Sequence, residues 1–266
     1  MAIKKGENLR RIHNIYIFTG KNKDPDGSCR AEVAHVIRQA GGGVADAPDK
    51  ADAIVSLGGD GTMMRAAHIA AGHDIPLIGI NLGRIGYLTE LDRGEVGMLK
   101  RLFDGDFEYD YRMALEVACS DGRKMLAFND AVIRSVSTHM VSISVECGGS
   151  PVNVYRGDGL IFSTPTGSTA YSMSAGGSVI DPGLECICLT PICPQALTAR
   201  PLVFSPDRCL TATVGSSGCI LTADGGAYIR LESGSKIEIQ RCGRTIKLIK
   251  FKDEEFFGVL SKKLSY

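Results

Sequence analysis

Two glycine-rich turns hold the side chains best suited to chemistry. The first is Leu57-Gly58-Gly59-Asp60-Gly61-Thr62, where the apolar run ADAIVSL stops and the helical pattern TMMRAAHIAA begins. Glycines turn tightly and present backbone N–H groups, and a helix N-terminus adds positive potential, so such a turn can bind phosphate without a lysine. Asp60 would only repel phosphate unless it has a task of its own. It reads as a base that takes a proton from a hydroxyl nucleophile or organises a metal, and equally as a helix N-cap beside glycines that merely turn the chain.

The second turn is Arg156-Gly157-Asp158-Gly159, followed by LIFSTPTGSTAYSMSAGG. Its hydroxyls and amides suit the edges of a polar ring-bearing ligand, Tyr171 its face, Asp158 a ribose or amide, and Arg156 a phosphate. A Ser/Thr-rich loop with a turn aspartate is the plainer reading of the same string. A third candidate is Asn129-Asp130 inside MLAFNDAVI, because this pair has poor β propensity and needs a reason to sit within a strand pattern. A bulge or tight turn would be reason enough.

Other chemistries find no support. The chain has no GxxxxGK[ST] phosphate loop, no GxGxxG fingerprint, no HExxH helix and no GxSxG elbow. Its five histidines have no ligand spacing. The nine cysteines are odd in number and scattered, which predicts reduced thiols; the alternation in CICLTPIC makes Cys186, Cys188 and Cys193 strand residues rather than a zinc site.

The elements that must position these turns fall into two patterns. Asn14–Thr19, Ala53–Leu57 and Pro76–Asn81 read as strands, with helices over Ser28–Gln39 and Thr62–Ala71 between them. Strand, crossover helix, strand implies a parallel α/β sheet. From about Met113 short β segments follow: MALEVAC, MLAFNDAVI, VSISVEC, LIFST, CICLT, CLTATV, CILTAD, KIEIQ and TIKLI. Thr169 to Ala175 begins a helix that stops at Gly176-Gly177, and DEEFFGVLSKKL has helical periodicity. The expected organisation is an α/β domain over 1–108, an all-β domain over 109–252 and a helical tail over 253–266 that packs back on the first domain. No linker or repeat separates the two domains, which predicts a shared interface with the active site in the cleft.

Composition narrows the classes further. The chain has 266 residues, 44% apolar and 23% charged, which is globular rather than disordered or fibrous. Thirty basic and thirty acidic residues balance, so nothing suggests wrapping nucleic acid or lying on an anionic membrane. No apolar run reaches a bilayer span and the start MAIKKGENLRRIHN lacks a signal-peptide core, which predicts a cytoplasmic protein.

Taken together, LGGDGTMMRAA, NLGRIGYLTEL, FNDAVI, GDGLIFSTPTGSTAYSMSAGG and LTPICPQALTARPLV resemble the successive motifs of the NAD kinases. The resemblance covers Ile54 to about Val203, with weaker likeness in FFGVLSKKL. GGDG alone is shared with lipid kinases and phosphofructokinase-type enzymes; the STPTGSTAYSMSAGG stretch is far more specific. The resemblance implies a Mg²⁺-dependent kinase that moves a phosphoryl group from ATP or polyphosphate to the adenosine 2′-hydroxyl of NAD, assembled as a homodimer or homotetramer in which a neighbouring subunit helps close the site. It implies Asp60 as the group facing that hydroxyl, with Gly58, Gly59 and Gly61 around the donor phosphates and Arg156 on phosphate. Asn129 and Asp130 would hold the adenine and ribose end. Tyr87, Thr169, Ala170 and Tyr171 would line the adenine pocket, and Asp158 and Ser174 would meet the nicotinamide half. The motifs depart from the family's usual ones at Asp130, where glutamate is common, and at Leu82 and Arg84, where threonine and histidine are. Alternatives from other classes are a lipid or small-alcohol kinase on the same scaffold and a non-catalytic NAD(P)-binding regulator. The first would need a greasy acceptor groove, and the second would be expected to lack Asp60.

Overall fold

The computed structural model describes residues 11–83, 86–251 and 256–264. They form two compact units, one of them Met113–Thr245 and the other made of the chain before and after it, up to Arg112 and from Ile246.

The α/β unit opens with strand β1 (Asn14–Thr19), helix α1 (Ser28–Gln39), strands β2 (Gly43–Ala45) and β3 (Ala53–Leu57), helix α2 (Asp60–His73) and strands β4 (Leu77–Asn81) and β5 (Leu91–Asp92). A 3-10 stretch over Arg93–Lys100 leads into the short helix α3 (Arg101–Asp104). The strands pair in parallel in the order β2-β1-β3-β4, with β5 beside β4. Every residue of β3 and β4 is buried. That is why these strands read as continuous apolar runs, as expected of a parallel sheet covered on both faces. Ile15, Ile17, Val55, Ile78 and Ile80 meet Val33 and Ile37 of α1 in one core. Helix α2 starts two residues earlier than the apolar periodicity predicts, because Gly59 takes the N-cap position with extended backbone and its carbonyl accepts the N–H of Thr62 at 2.8 Å.

The second unit holds β6 (Glu108–Cys119, entering from the first unit), β7 (Lys124–Ala127), β8 (Asp130–Ser135), β9 (Val141–Cys147), β10 (Ser150–Gly157), β11 (Gly159–Ser163), helix α4 (Tyr171–Ser174), β12 (Ile187–Ile192), β13 (Leu202–Phe204), β14 (Leu210–Val214), β15 (Cys219–Ala223), β16 (Tyr228–Leu231) and β17 (Lys236–Lys250). One antiparallel sheet contains β10-β9-β14 and the first half of β17, with β6 and β7 continuing it. The other runs β13-β12-β11-β8-β15-β16. Val117, Ile143, Val145 and Ala212 from the first sheet share a core with Ile133, Phe162, Leu189 and Leu221 from the second. On the far face of the second sheet Val132, Ile161 and Ile192 form a smaller cluster against Ala175. This explains why β11 is buried along its whole length.

Two predicted segments differ from the structure. MLAFNDAVI is not one strand: Phe128 and Asn129 form a bend between β7 and β8. KIEIQ and TIKLI, expected as two strands, are one. Its residues Lys236 to Ile239 pair with β14, whereas Leu248 pairs with Leu77 of β4 in the α/β unit. The tail helix α5 (Phe256–Leu264) follows, and its Phe256 ring lies 6.3 Å from that of Tyr87. Residues 84–85, 252–255 and 265–266, among them Arg84 and part of the predicted tail, lie outside the described residues.

Candidate active site

At the GGDG turn the helix-cap reading of the aspartate does not hold. Asp60 is not the N-cap; it is the first residue of α2, and its carboxylate accepts the backbone N–H groups of Tyr87 at 2.9 Å and Leu88 at 3.0 Å. The loop closes so tightly that a Cβ on Gly86 would stand 2.4 Å from Asp60 Oδ1. Gly58 has φ 151° and a Cβ there would meet Thr62 Oγ1 at 2.3 Å, so this position requires glycine. Gly59 and Gly61 face open space, and an approaching group meets bare backbone there. The turn lies at the C-terminal end of β3, the end at which open parallel sheets bind ligands. The N–H of Gly20, at the end of β1, donates to the Leu57 carbonyl at 2.9 Å, which ties the loop carrying Lys21 and Lys23 to the same strand end.

In the β unit the predicted residues fall into two groups. Asn129 and Asp130 meet the STPTGST segment directly: Thr164 N–H donates to the Asn129 carbonyl at 2.9 Å, and Thr164 Oγ1 donates to the Phe128 carbonyl at 2.7 Å. Thr164 Oγ1 in turn accepts the Gly167 N–H at 3.0 Å. The helix expected over Thr169–Ala175 is a 3-10 turn over Thr166–Thr169 followed by α4, with Ala170 between them. Thr169 and Ala170 are half-buried, while Tyr171 and Ser174 are exposed on α4. Ser172 points inward, its Oγ 2.9 Å from Thr190 Oγ1.

Arg156 and Asp158 are exposed and sit at the other end of β11. Ser163 of β11 pairs with Asp130 and Gly159 with Arg134, so roughly 17 Å of extended strand separates Asp158 from the Asn129–Asp130 bend. The structure does not gather these two with the rest.

The chemistry of the bend is unusual. Asp130 is 6% exposed, and its carboxyl is pushed up to about 7, first by burial and then by the facing charge of Asp224. The Asn129 side-chain oxygen is buried without a hydrogen-bond partner, as is the hydroxyl of Ser163, the β11 residue paired with Asp130. Asp224 itself is absent from the sequence-derived candidates. Its carboxylate accepts the N–H groups of Phe128 at 2.8 Å, Asn129 at 2.7 Å and Asp130 at 3.1 Å. The only local signal for it is the Ala223-Asp224-Gly225-Gly226 turn, where Asp224 has φ 50°, a left-handed conformation that aspartate tolerates better than most residues.

A glycine-turn aspartate at a strand end of the α/β unit and, in the β unit, a polar loop tied to the 128–130 bend are the features of a phosphotransferase with a small-molecule acceptor. Residues 13–107 match the ATP-NAD kinase N-terminal domain and residues 129–251 the ATP-NAD kinase C-terminal domain. The NAD kinase of Heliobacterium modesticaldum is 38% identical over 268 residues, covering 98% of this chain and 95% of that one. That of Syntrophotalea carbinolica is 39% identical, covering 82% and 80%. Among solved structures, an Archaeoglobus fulgidus NAD kinase in complex with ATP is 28% identical with a TM-score of 0.78, covering 95% of this chain and 98% of that one. Yeast NADH kinase complexed with NADH shares the fold, with a TM-score of 0.87 at 22% identity, covering 100% and 93%. The chain belongs to the NAD kinase family, and its function is that of an NAD kinase.

Proposed function

We propose that the chain transfers the γ-phosphoryl group of ATP, or a phosphate of polyphosphate, to the 2′-hydroxyl of the adenosine ribose of NAD, with Asp60 as the base. The observation that carries this reading is the fixed Asp60 carboxylate, held by two backbone N–H groups between two glycines that leave their backbone open. Phosphoryl transfer asks for positioning and charge stabilisation rather than covalent chemistry, and a clamped carboxylate beside the open main chain of Gly59 and Gly61 at a helix N-terminus suits both. Gly58, Gly59 and Gly61 take the donor phosphates. Asn129, Asp130, Thr169, Ala170, Tyr171 and Ser174 take the dinucleotide, with Tyr87 at the adenine.

Among the described residues no three or more His, Cys, Asp or Glu side chains are grouped to hold a metal ion. Mg²⁺ would be carried by the donor's phosphate oxygens and water, and the chemistry it would supply there is charge neutralisation. No helix among the described residues is long and apolar enough to cross a membrane.

Arg156 and Asp158, a strand length from the bend, act on NAD held by a neighbouring copy in a homodimer or homotetramer. Exposed Val136, Met140, Val154, Val203 and Tyr228 supply apolar surface for such an assembly. Purified protein with NAD, ATP and Mg²⁺, read out by an NADP-specific dehydrogenase, tests the reaction. Mixed assemblies of Asp60→Asn with Asp158→Ala test the sharing of residues: recovered activity supports it, and none refutes it.

A further inference from the structure

Three backbone N–H groups converge on one carboxylate in the β unit. Phe128, Asn129 and Asp130 donate to Asp224 across a sequence gap of 94 to 96 residues, at 2.7 to 3.1 Å. The bend they form joins β7 to β8, and a bend between paired strands leaves N–H groups outside the ladder that must be satisfied elsewhere. Hydrogen bonds to a charged acceptor are shorter and about twice as strong as neutral ones. The contact is reciprocal: the Asp224 N–H donates to the Asp130 carbonyl at 2.9 Å, so the two turns lock in both directions. On the opposite side Thr164 holds the Phe128 and Asn129 carbonyls, and the bend is fixed through its donors and its acceptors alike.

A backbone held on every side fixes where its side chains point. Within the bend the Asn129 side-chain oxygen is buried and has no hydrogen-bond partner. We propose that Asp224 is the positioning residue of the NAD site: its carboxylate shapes the 128–130 bend so that the Asn129 and Asp130 side chains meet the dinucleotide, without itself taking part in phosphoryl transfer. This rests on the reading that the bend binds NAD.

Asp224→Asn keeps the shape but replaces one acceptor oxygen with a donor, which opposes a backbone N–H. Amide hydrogen exchange of the peptide spanning residues 124–133 is expected to speed up at least tenfold in this variant, with the KM for NAD raised about tenfold and the KM for ATP and kcat nearly unchanged. Unchanged exchange would overturn the clamp. Faster exchange with an unchanged KM for NAD would make Asp224 merely structural, and a fall in kcat at constant KM would make it a participant in the chemistry; either result defeats the proposal. Asp224→Ser, which retains one acceptor, carries the same measurements if the amide variant does not fold. Asn129→Ala, assayed alongside, reads the underlying assignment separately. If it leaves the KM for NAD untouched while Asp224→Asn raises it, the role given to the Asn129 side chain is wrong and the clamp stands.

Discussion

Gly167 lies against the backbone of Asn129 so closely that a Cβ on the glycine would stand 2.0 Å from the Asn129 carbonyl oxygen. The obstacle is main chain on both sides, so no side-chain rotation relieves it. Gly167→Ala is therefore expected to cost about 1–3 kcal/mol, the usual range for overpacking, and to raise the KM for NAD by displacing the bend. Thermal denaturation with steady-state kinetics checks both. A variant with wild-type melting and KM would show that the contact is slack.

Asp60→Asn separates chemistry from support. The variant keeps an oxygen for one of the N–H groups of Tyr87 and Leu88 but turns a donor toward the other, so a modest loss of stability, about 1 kcal/mol, is expected. As the base, Asp60 contributes roughly 10²–10⁴-fold, and kcat should fall in that range while calorimetric affinity for NAD changes little. Retention of more than about a tenth of wild-type kcat would remove Asp60 from that role.

The Asp130 carboxyl, raised to about 7 from an ordinary value of 3.8, favours the protonated form in the folded protein. Between those two values the folded state holds a proton that the unfolded state has lost. Stability therefore falls as pH rises from about 4 to about 7 and then levels. Asp130→Asn cannot charge, so its melting temperature relative to wild type should climb between pH 5 and pH 8. A difference that stays flat across this interval would contradict the shift.

Tyr171 is 41% exposed on its short helix, so its ring contributes little to the core. Tyr171→Ala should melt near wild type yet raise the KM for NAD more than it lowers kcat, the mark of lost uniform binding. Loss of one aromatic stacking contact is worth about 1–3 kcal/mol. An unchanged KM places the adenine elsewhere.

What could be read from the chain alone was local. Asn14–Thr19, Ser28–Gln39 and Ala53–Leu57 are bounded as their periodicity predicts, because turn chemistry and buried runs coincide there. Strand β10 carries no such mark: its ladder is broken by a bulge between Pro151 and Asn153, and most of its residues are exposed, so no alternation shows it. The break at Phe128-Asn129 was legible as a misfit in a strand pattern. Its cause was not, since the carboxylate that satisfies the bend lies far along the chain in an ordinary strand-end turn. The support of Asp60 by Tyr87 and Leu88 was hidden for the same reason: backbone N–H groups carry no signature in sequence.

The α/β unit is not finished where its strand-helix alternation ends. Leu248 pairs with Leu77, Lys250 forms an ion pair with buried Glu90, and the Phe251 N–H donates to Glu90 at 2.7 Å. Glu90 is two residues past Leu88, one of the two groups that hold Asp60. On the ribosome, where chains emerge from the N-terminus and domains fold as units, this order sets a schedule. The β unit, continuous in sequence, has all of its strands before the α/β unit receives its last partner. The turn that carries Asp60 is thus braced by residues made after the whole β unit, and a nascent chain stopped at Thr245 would have the GGDG segment but not this support.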